Sequence, residues 1–354
     1  MKTEKVFFKK SKVIPIDKFF SNVLYDKKLG YYNSKIPFGK EGDFVTSPKI
    51  SNIFSEIIAI WMISSWETFG RPKNLNIVEL GPGDGSLTKI LLRTFEKFPE
   101  FNSTKKLFLF EKSNYLKKIQ KKNILNKGVR WINNFDKVKK GPIIFFGNEF
   151  FDALPIKQFK KINKSLYEKN YTLNQKLEIK EVFKKASSRD KKMIKNFKTI
   201  KKLKFIEFPK LGFDELKKIS KKISELQGCI LIIDYGYLKP NNQNTLQSVM
   251  RHKKNKLLHN LGKADITAHV NFTLLNEFFS QNGLKIKDVI SQKDFLKTMG
   301  ILERAKIVAK NMKFTEQSDL YLRIQRLLSP RYMGDLFKVI LAYNFKDNNF
   351  AGFK

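Results

Sequence analysis

One cysteine and three histidines in 354 residues leave little room for several chemistries. Cys229 has no second thiol to pair with, and it lies in an apolar run with Ile230 and Leu231, where a core side chain is expected rather than a nucleophile. His252, His259 and His269 lack paired ligand spacing and have no cysteine cluster beside them, so no metal site is expected. No apolar run is long enough to cross a bilayer, and a soluble chain is expected. Acidic residues are also scarce: 33 Asp and Glu against 70 Lys and Arg give a formal charge of +37. That balance would suit a polyanion. The excess, however, is mostly lysine spread along the whole chain, together with abundant Ile, Asn and Phe, as an AT-rich coding sequence would produce. No nucleic-acid motif accompanies it, so no specific nucleic-acid partner is expected. Residues 1–12 carry neither the apolar core of a signal peptide nor the arginine-rich pattern of a transit peptide, which makes a cytoplasmic location the default expectation.

What is present supports a real core, with 42% hydrophobic residues. Ile77, Val78 and Leu80 read as a buried strand. Gly81, Pro82, Gly83, Asp84 and Gly85 then turn sharply, and Leu87, Ile90, Leu91 and Thr94 follow at helical spacing. A strand, a glycine-rich turn and a helix start form a nucleotide-cofactor site. A dinucleotide fold wants G-x-G-x-x-G, whereas this turn reads G-x-G-x-G with Ser86 and Leu87 after it. Glu79 and Asp84 set negative charge beside the loop, which disfavours a pyrophosphate and suits the ammonium and sulfonium of S-adenosylmethionine. At this point both cofactors stay open.

Further along, Leu107 to Glu111 reads as the second parallel strand, with Glu111 placed to take two ribose hydroxyls. Val129 to Ile132 is a weaker third strand, followed by Asn133 where an adenine ring would be hydrogen-bonded. Pro142 to Phe146 is the fourth, running into Asn148, Glu149 and Asp152, polar groups at a strand end where ligands of doubly wound sheets bind. Cys229 to Ile233 is the fifth, with Asp234 and Tyr235 at its carboxyl end. Before the sheet, Ile16 to Tyr25 reads as an amphipathic helix. A loop bearing Asp43, Phe44 and Thr46 follows it, for which ligand cover and structural cap both stand open. Residues 50–66 form another helix. Thr245 to His252 and Ala264 to Phe272, the latter with Thr267 and His269, read as loops. An apolar run within residues 327–342 suits a final antiparallel strand. The expected fold is α/β, a doubly wound, mostly parallel, Rossmann-like sheet with an N-terminal helical cap and an inserted α+β subdomain. The boundaries are 1–70 for the cap, 71–156 with 205–354 for the core, and 157–204 for the insertion.

Gly30-Tyr-Tyr, Pro37-Phe-Gly, Gly42-Asp-Phe, Thr46-Ser-Pro, Glu79-Leu-Gly-Pro-Gly, Asn148-Glu-Phe-Phe-Asp-Ala-Leu-Pro, Asp234-Tyr-Gly, Asp265-Ile-Thr-Ala-His-Val and Pro330-Arg-Tyr-Met-Gly occur in this order. Together they resemble the MidA family of class I S-adenosylmethionine-dependent methyltransferases, which includes a mitochondrial arginine methyltransferase that assists complex I assembly. Lys49 departs from that pattern, standing where the family usually has an acidic residue. The resemblance implies S-adenosylmethionine as cofactor and symmetric dimethylation of an arginine on a protein partner, an NADH dehydrogenase subunit. It implies donor contacts at Glu79, Gly81, Gly83, Asp84, Gly85, Glu111, Asn133 and Asn148. Glu149 and Asp152 would clamp the guanidinium, with His269 orienting a carboxylate. Asp43, Phe44, Thr46, Asp234, Tyr235 and Thr267 would line the substrate side. A different acceptor, or an assembly factor that merely keeps the donor site, remains the alternative.

Overall fold

Parallel strands covered on both faces read as continuous apolar runs, and the runs found in the sequence do become neighbours in one sheet. A computed structural model describes residues 4–9, 11–35, 37, 39 and 42–353, and the chain divides into two compact units. The turn expected at Pro37-Phe-Gly39 falls partly outside the described residues, at Phe38.

The first unit takes residues 45–150, 218–236 and 279–354. Its strands are β1 (Leu75–Leu80), β2 (Lys105–Phe110), β3 (Val129–Ile132), β4 (Ile143–Asn148), β5 (Gly228–Tyr237) and β6 (Phe337–Asn344). They lie in the order β6-β5-β4-β1-β2-β3, with β1 to β5 parallel and β6 antiparallel to β5. Strand order therefore reverses between β1 and β4, which opens a crevice at their carboxyl ends. Helix α1 (Asn52–Thr68) starts where the Ser51 side chain accepts from the Ile53 amide. It buries Phe54, Ile58, Trp61 and Met62 in a core shared with Ile77, Ile144, Leu231 and Leu341. Each such side chain is worth about 1.5–3 kcal/mol of burial. Helix α2 (Ser86–Phe95) follows β1, and α3 (Asn114–Asn123) follows β2 with Ser113 capping the Leu116 amide. The structure extends the expected fifth strand through Asp234 to Tyr237, and β6 pairs with it from Gly228 to Tyr235. It also shows helices Ile301–Ala309 and Phe314–Leu328, in a stretch for which the sequence reading gave no elements. The latter buries only Leu320, Ile324, Leu327 and Leu328, a narrow stripe among charged residues.

The second unit takes residues 1–44, 151–217 and 237–278. Its larger sheet runs Val13–Pro15, Ser165–Leu173, Lys157–Ile162 and Phe205–Phe208, all antiparallel, with Ile179–Lys185 also paired to Ser165–Leu173. Helix Ile16–Tyr25 buries Phe19 and Phe20, whose rings meet Tyr171 edge-on at 5.0 and 5.7 Å. This unit is wider than the expected insertion 157–204, since N-terminal residues supply a strand and helix to it. The two stretches expected to be loops instead pair: Gln247–Met250 lies antiparallel to both Lys253–Asn255 and Asp265–Thr267. Among the described residues no helix is long and apolar enough to cross a membrane.

Candidate active site

The glycine loop at the end of β1 is shaped by what packs against it. Gly81 has a φ of 62°, and a Cβ there would meet the Phe150 ring at 2.6 Å. Gly85, at φ 83°, would push a Cβ to 2.7 Å from the Ile124 side chain. The backbone thus needs glycine at both places, for conformation and for room. The Gly81 amide donates to Phe110 O at 3.0 Å, tying the loop to the end of β2. Gln120 on α3 donates to Gly83 O at 2.8 Å and to Glu111 Oε2 at 3.1 Å, while its own carbonyl accepts from the Trp131 indole at 2.8 Å. The sequence reading passed over Gln120. Only its place on the loop-facing side of α3, one turn before Ile124, signals this role.

Carboxylates gather at the same ends of β1 and β2. Glu79 is 4% exposed and accepts from the Thr88 hydroxyl on α2. Burial, reinforced by the charge of Asp84, pushes its carboxyl up to about 7. Glu111 follows β2 directly, is buried, and accepts from the Ser113 amide at 2.7 Å; burial raises its carboxyl above the usual range. Asp84 accepts from the Ser86 amide at 3.1 Å and forms an ion pair with Lys49. Lys49, the position where the chain departs from the family pattern, thus meets a carboxylate of the loop itself.

At the end of β4, Asn148 pairs with Ile233 of β5, and Glu149 takes a positive φ of 50° as its amide donates to Ile233 O at 2.9 Å. A non-glycine residue held there is a strained position of the kind that collects at functional sites. Glu149 Oε1 accepts from the Ser47 amide and from Asn148 Nδ2, both at 3.1 Å. Asn148 Oδ1 is buried and has no hydrogen-bond partner among the described residues. Thr46 caps the short helix Ser47–Ile50, its carbonyl accepting from Lys49 and Ile50. Asp234 is fully buried within β5 and accepts from the Tyr235 amide; the Tyr235 ring packs on Phe337 at 5.6 Å. Asn133 is exposed, and its carbonyl accepts from the Lys117 ammonium at 2.6 Å.

The remaining candidates belong to the second unit. Asp43 is 1% exposed and accepts from Tyr31 Oη at 2.7 Å, from the Arg251 amide at 2.8 Å and from Lys35. Burial works against its charge, but these donors outweigh it and hold the carboxyl below the ordinary range. Phe44 accepts through its carbonyl from the Gly39 amide, closing the loop. Asp265, buried and bonded by Tyr32 Oη at 3.2 Å, is pushed up to about 7 by burial and then by the charge of Asp152. The carbonyl of Asp152 accepts from the Ala268 amide at 3.0 Å, and Thr267 Oγ1 accepts from Gln247 at 3.4 Å. His269 donates through its amide to Thr245 Oγ1 at 3.0 Å, and that hydroxyl donates to Glu207 at 2.6 Å. His269, Glu207, Tyr237 and Asn271 share a pocket with apolar walls, and burial lowers the His269 imidazole pKa. Glu207 was not among the expected residues; nothing in its short strand Phe205–Phe208 marks it.

A sheet with this switch point, a glycine loop after β1 and a carboxylate after β2 defines a Rossmann-like cofactor-binding protein. The family of S-adenosyl-L-methionine-dependent methyltransferases matches residues 57–290, and the chain belongs to it. Among its relatives are the mitochondrial protein arginine methyltransferases NDUFAF7 of Xenopus laevis, 30% identical over 92% of this chain and 80% of that protein, and of Homo sapiens, 29% identical over 92% and 78%. A Burkholderia thailandensis protein solved with S-adenosyl-homocysteine shares the fold at a TM-score of 0.83, with 21% identity over 99% of this chain and 92% of that one. The cofactor is therefore S-adenosylmethionine, which settles the dinucleotide alternative. The relatives named as mitochondrial overturn the cytoplasmic expectation, which rested only on what the first residues lack. The residues present fit the donor: carboxylates stand at both strand ends for its cations and hydroxyls, and Asn148 Oδ1 is a buried acceptor awaiting a donor group.

Proposed function

We propose that this methyltransferase acts on an arginine of a protein partner, an NADH dehydrogenase subunit, and carries it to the symmetric dimethyl form. The observation that bears most weight is the likeness to relatives named protein arginine methyltransferases along 92% of the chain. Glu149 supports the same reading. A guanidinium has a pKa above 12 and keeps its proton against any ordinary base, so its acceptor must be oriented before the proton leaves. A carboxylate fixed by the Ser47 amide and Asn148 does this from one side. The bound donor supplies an electrophilic methyl group on a sulfonium. Transfer would break the methyl–sulfur bond as the nitrogen–carbon bond forms, leaving a neutral thioether, and Glu149 would take the proton that the methylated guanidinium releases. Holding the nitrogen in line supplies much of the acceleration.

The test is incubation of the protein with methyl-labelled S-adenosylmethionine and a lysate of cells lacking it, followed by mass spectrometry of the labelled band. Dimethylated arginine on an NADH dehydrogenase subunit is the expected result. Label on lysine or a small molecule would replace the acceptor, and measurable donor binding without any label would favour an assembly factor. Glu149→Gln is expected to cut methyl transfer at least about 100-fold while donor affinity changes little.

A further inference from the structure

Lys49 reaches the glycine loop. Its Nζ pairs with Asp84 Oδ2, and the other oxygen of Asp84 accepts from the Ser86 amide at 3.1 Å. Both oxygens of Asp84 are therefore engaged by the protein, and its charge serves to hold the lysine. An ammonium has three N–H donors. The Lys49 side chain stays 31% exposed while that of Asp84 is 11% exposed, so the lysine remains partly accessible beside a largely buried counter-charge. The segment carrying it, Ser47–Ile50, is tied to the end of β4 through Ser47 and Glu149, which fixes the lysine at the same end of the sheet as the loop.

The donor brings two cationic groups, its sulfonium and its ammonium, and one anion, the carboxylate of its amino-acid portion. Ionised, Glu79 and Glu111 suit the cations and the ribose hydroxyls and repel an anion. With the ribose at Glu111, the amino-acid portion would lie toward the glycine loop, whose Gly83 is tied to Glu111 through Gln120. An anionic group there meets a cation at Lys49. We propose that Lys49 binds the carboxylate of the donor's amino-acid portion, with Asp84 holding its ammonium in place. This rests on the donor lying at the glycine loop.

Calorimetry of wild type, Lys49→Met and Lys49→Arg with two ligands tests it. S-adenosyl-homocysteine carries the carboxylate; 5′-methylthioadenosine keeps the adenosine and sulfur but lacks the amino-acid portion. Loss of one charged hydrogen bond predicts that Lys49→Met weakens S-adenosyl-homocysteine roughly tenfold or more. It should leave 5′-methylthioadenosine within about twofold, and Lys49→Arg should recover most of the loss. Unchanged S-adenosyl-homocysteine binding, or equal losses for both ligands, would overturn the proposal. The wild-type protein supplies an arm free of folding effects: it should prefer S-adenosylmethionine over its decarboxylated form by a similar factor, and equal affinities would likewise overturn it. If the wild type binds none of these ligands, the donor site itself is misassigned and the proposal falls with it, a result distinct from a ligand that binds without regard to its carboxylate.

Discussion

Each compact unit buries an aspartate against a half-exposed lysine, yet the two pairs are built differently. Around Asp43 the lysine is one donor among several: Tyr31 and the Arg251 backbone hold the same carboxylate, which joins two distant stretches of chain. Asp84 has one backbone donor besides Lys49, supplied two residues away by Ser86. A carboxylate with many long-range donors is a clasp. One with a single local donor leaves most of its charge for the lysine, and the lysine for whatever meets it. Similar residue pairs at similar burial thus do structural work in one unit and face a ligand in the other.

The strongest way to break that contrast is through glycines. Gly85→Ala combines a left-handed backbone with a contact at 2.7 Å to Ile124 and should cost about 2–4 kcal/mol. Gly262→Ala in the second unit sets its Cβ 2.3 Å from Leu29 O, also at positive φ, and should cost at least as much. Urea unfolding should show both losses, whereas S-adenosyl-homocysteine titration should show a large fall in affinity only for Gly85→Ala. An equal fall for Gly262→Ala would dissolve the distinction between the two regions.

Acid titration comes next. Glu79 and Asp265 are both raised to about 7 in the folded protein, against ordinary values of 4.5 and 3.8. Across that window the folded state holds more protons than the unfolded one, so stability is greatest below it and falls as pH climbs toward 7. Glu79→Gln and Asp265→Asn should each flatten this fall in thermal midpoints measured from pH 5 to 8. If Glu79→Gln kept the full slope, the buried carboxyl beside Thr88 would be ionised throughout. The two variants should part on ligand: S-adenosyl-homocysteine affinity should drop for Glu79→Gln and hold for Asp265→Asn.

How much could be read beforehand follows the same division. The first unit was legible because parallel strands buried on both faces give unbroken apolar runs, such as Ile143 to Phe146, and the polar residues Glu111, Asn148 and Glu149 stand at their ends. Asp43, Thr267 and His269 were visible only as motif residues. The strand Asp265–Thr267 is too short for a period to emerge, and its pairing with Gln247–Met250 spans a stretch that looks like a loop. Gln120 and Glu207 escaped for a related reason: each takes its meaning from partners far along the chain. Lys49 was noticed only as an oddity, and the Asp84 pair gives it a physical role.

The smallest effect should come from the lysines themselves. Lys35 is 35% exposed, and Asp43 retains Tyr31 and Arg251 when it is removed, so Lys35→Met should cost within about 1 kcal/mol. Its signature lies in acid. Asp43 is held below its ordinary value, a stabilisation present above the unfolded pKa and lost as pH falls through the folded one. Without Lys35 the Asp43 carboxyl should protonate sooner, moving the acid-unfolding midpoint to slightly higher pH while S-adenosyl-homocysteine affinity stays at the wild-type value. A Lys35→Met protein that bound this ligand as weakly as Lys49→Met would mean that both lysines act through general charge rather than through place, and the contrast between clasp and ligand contact would fail.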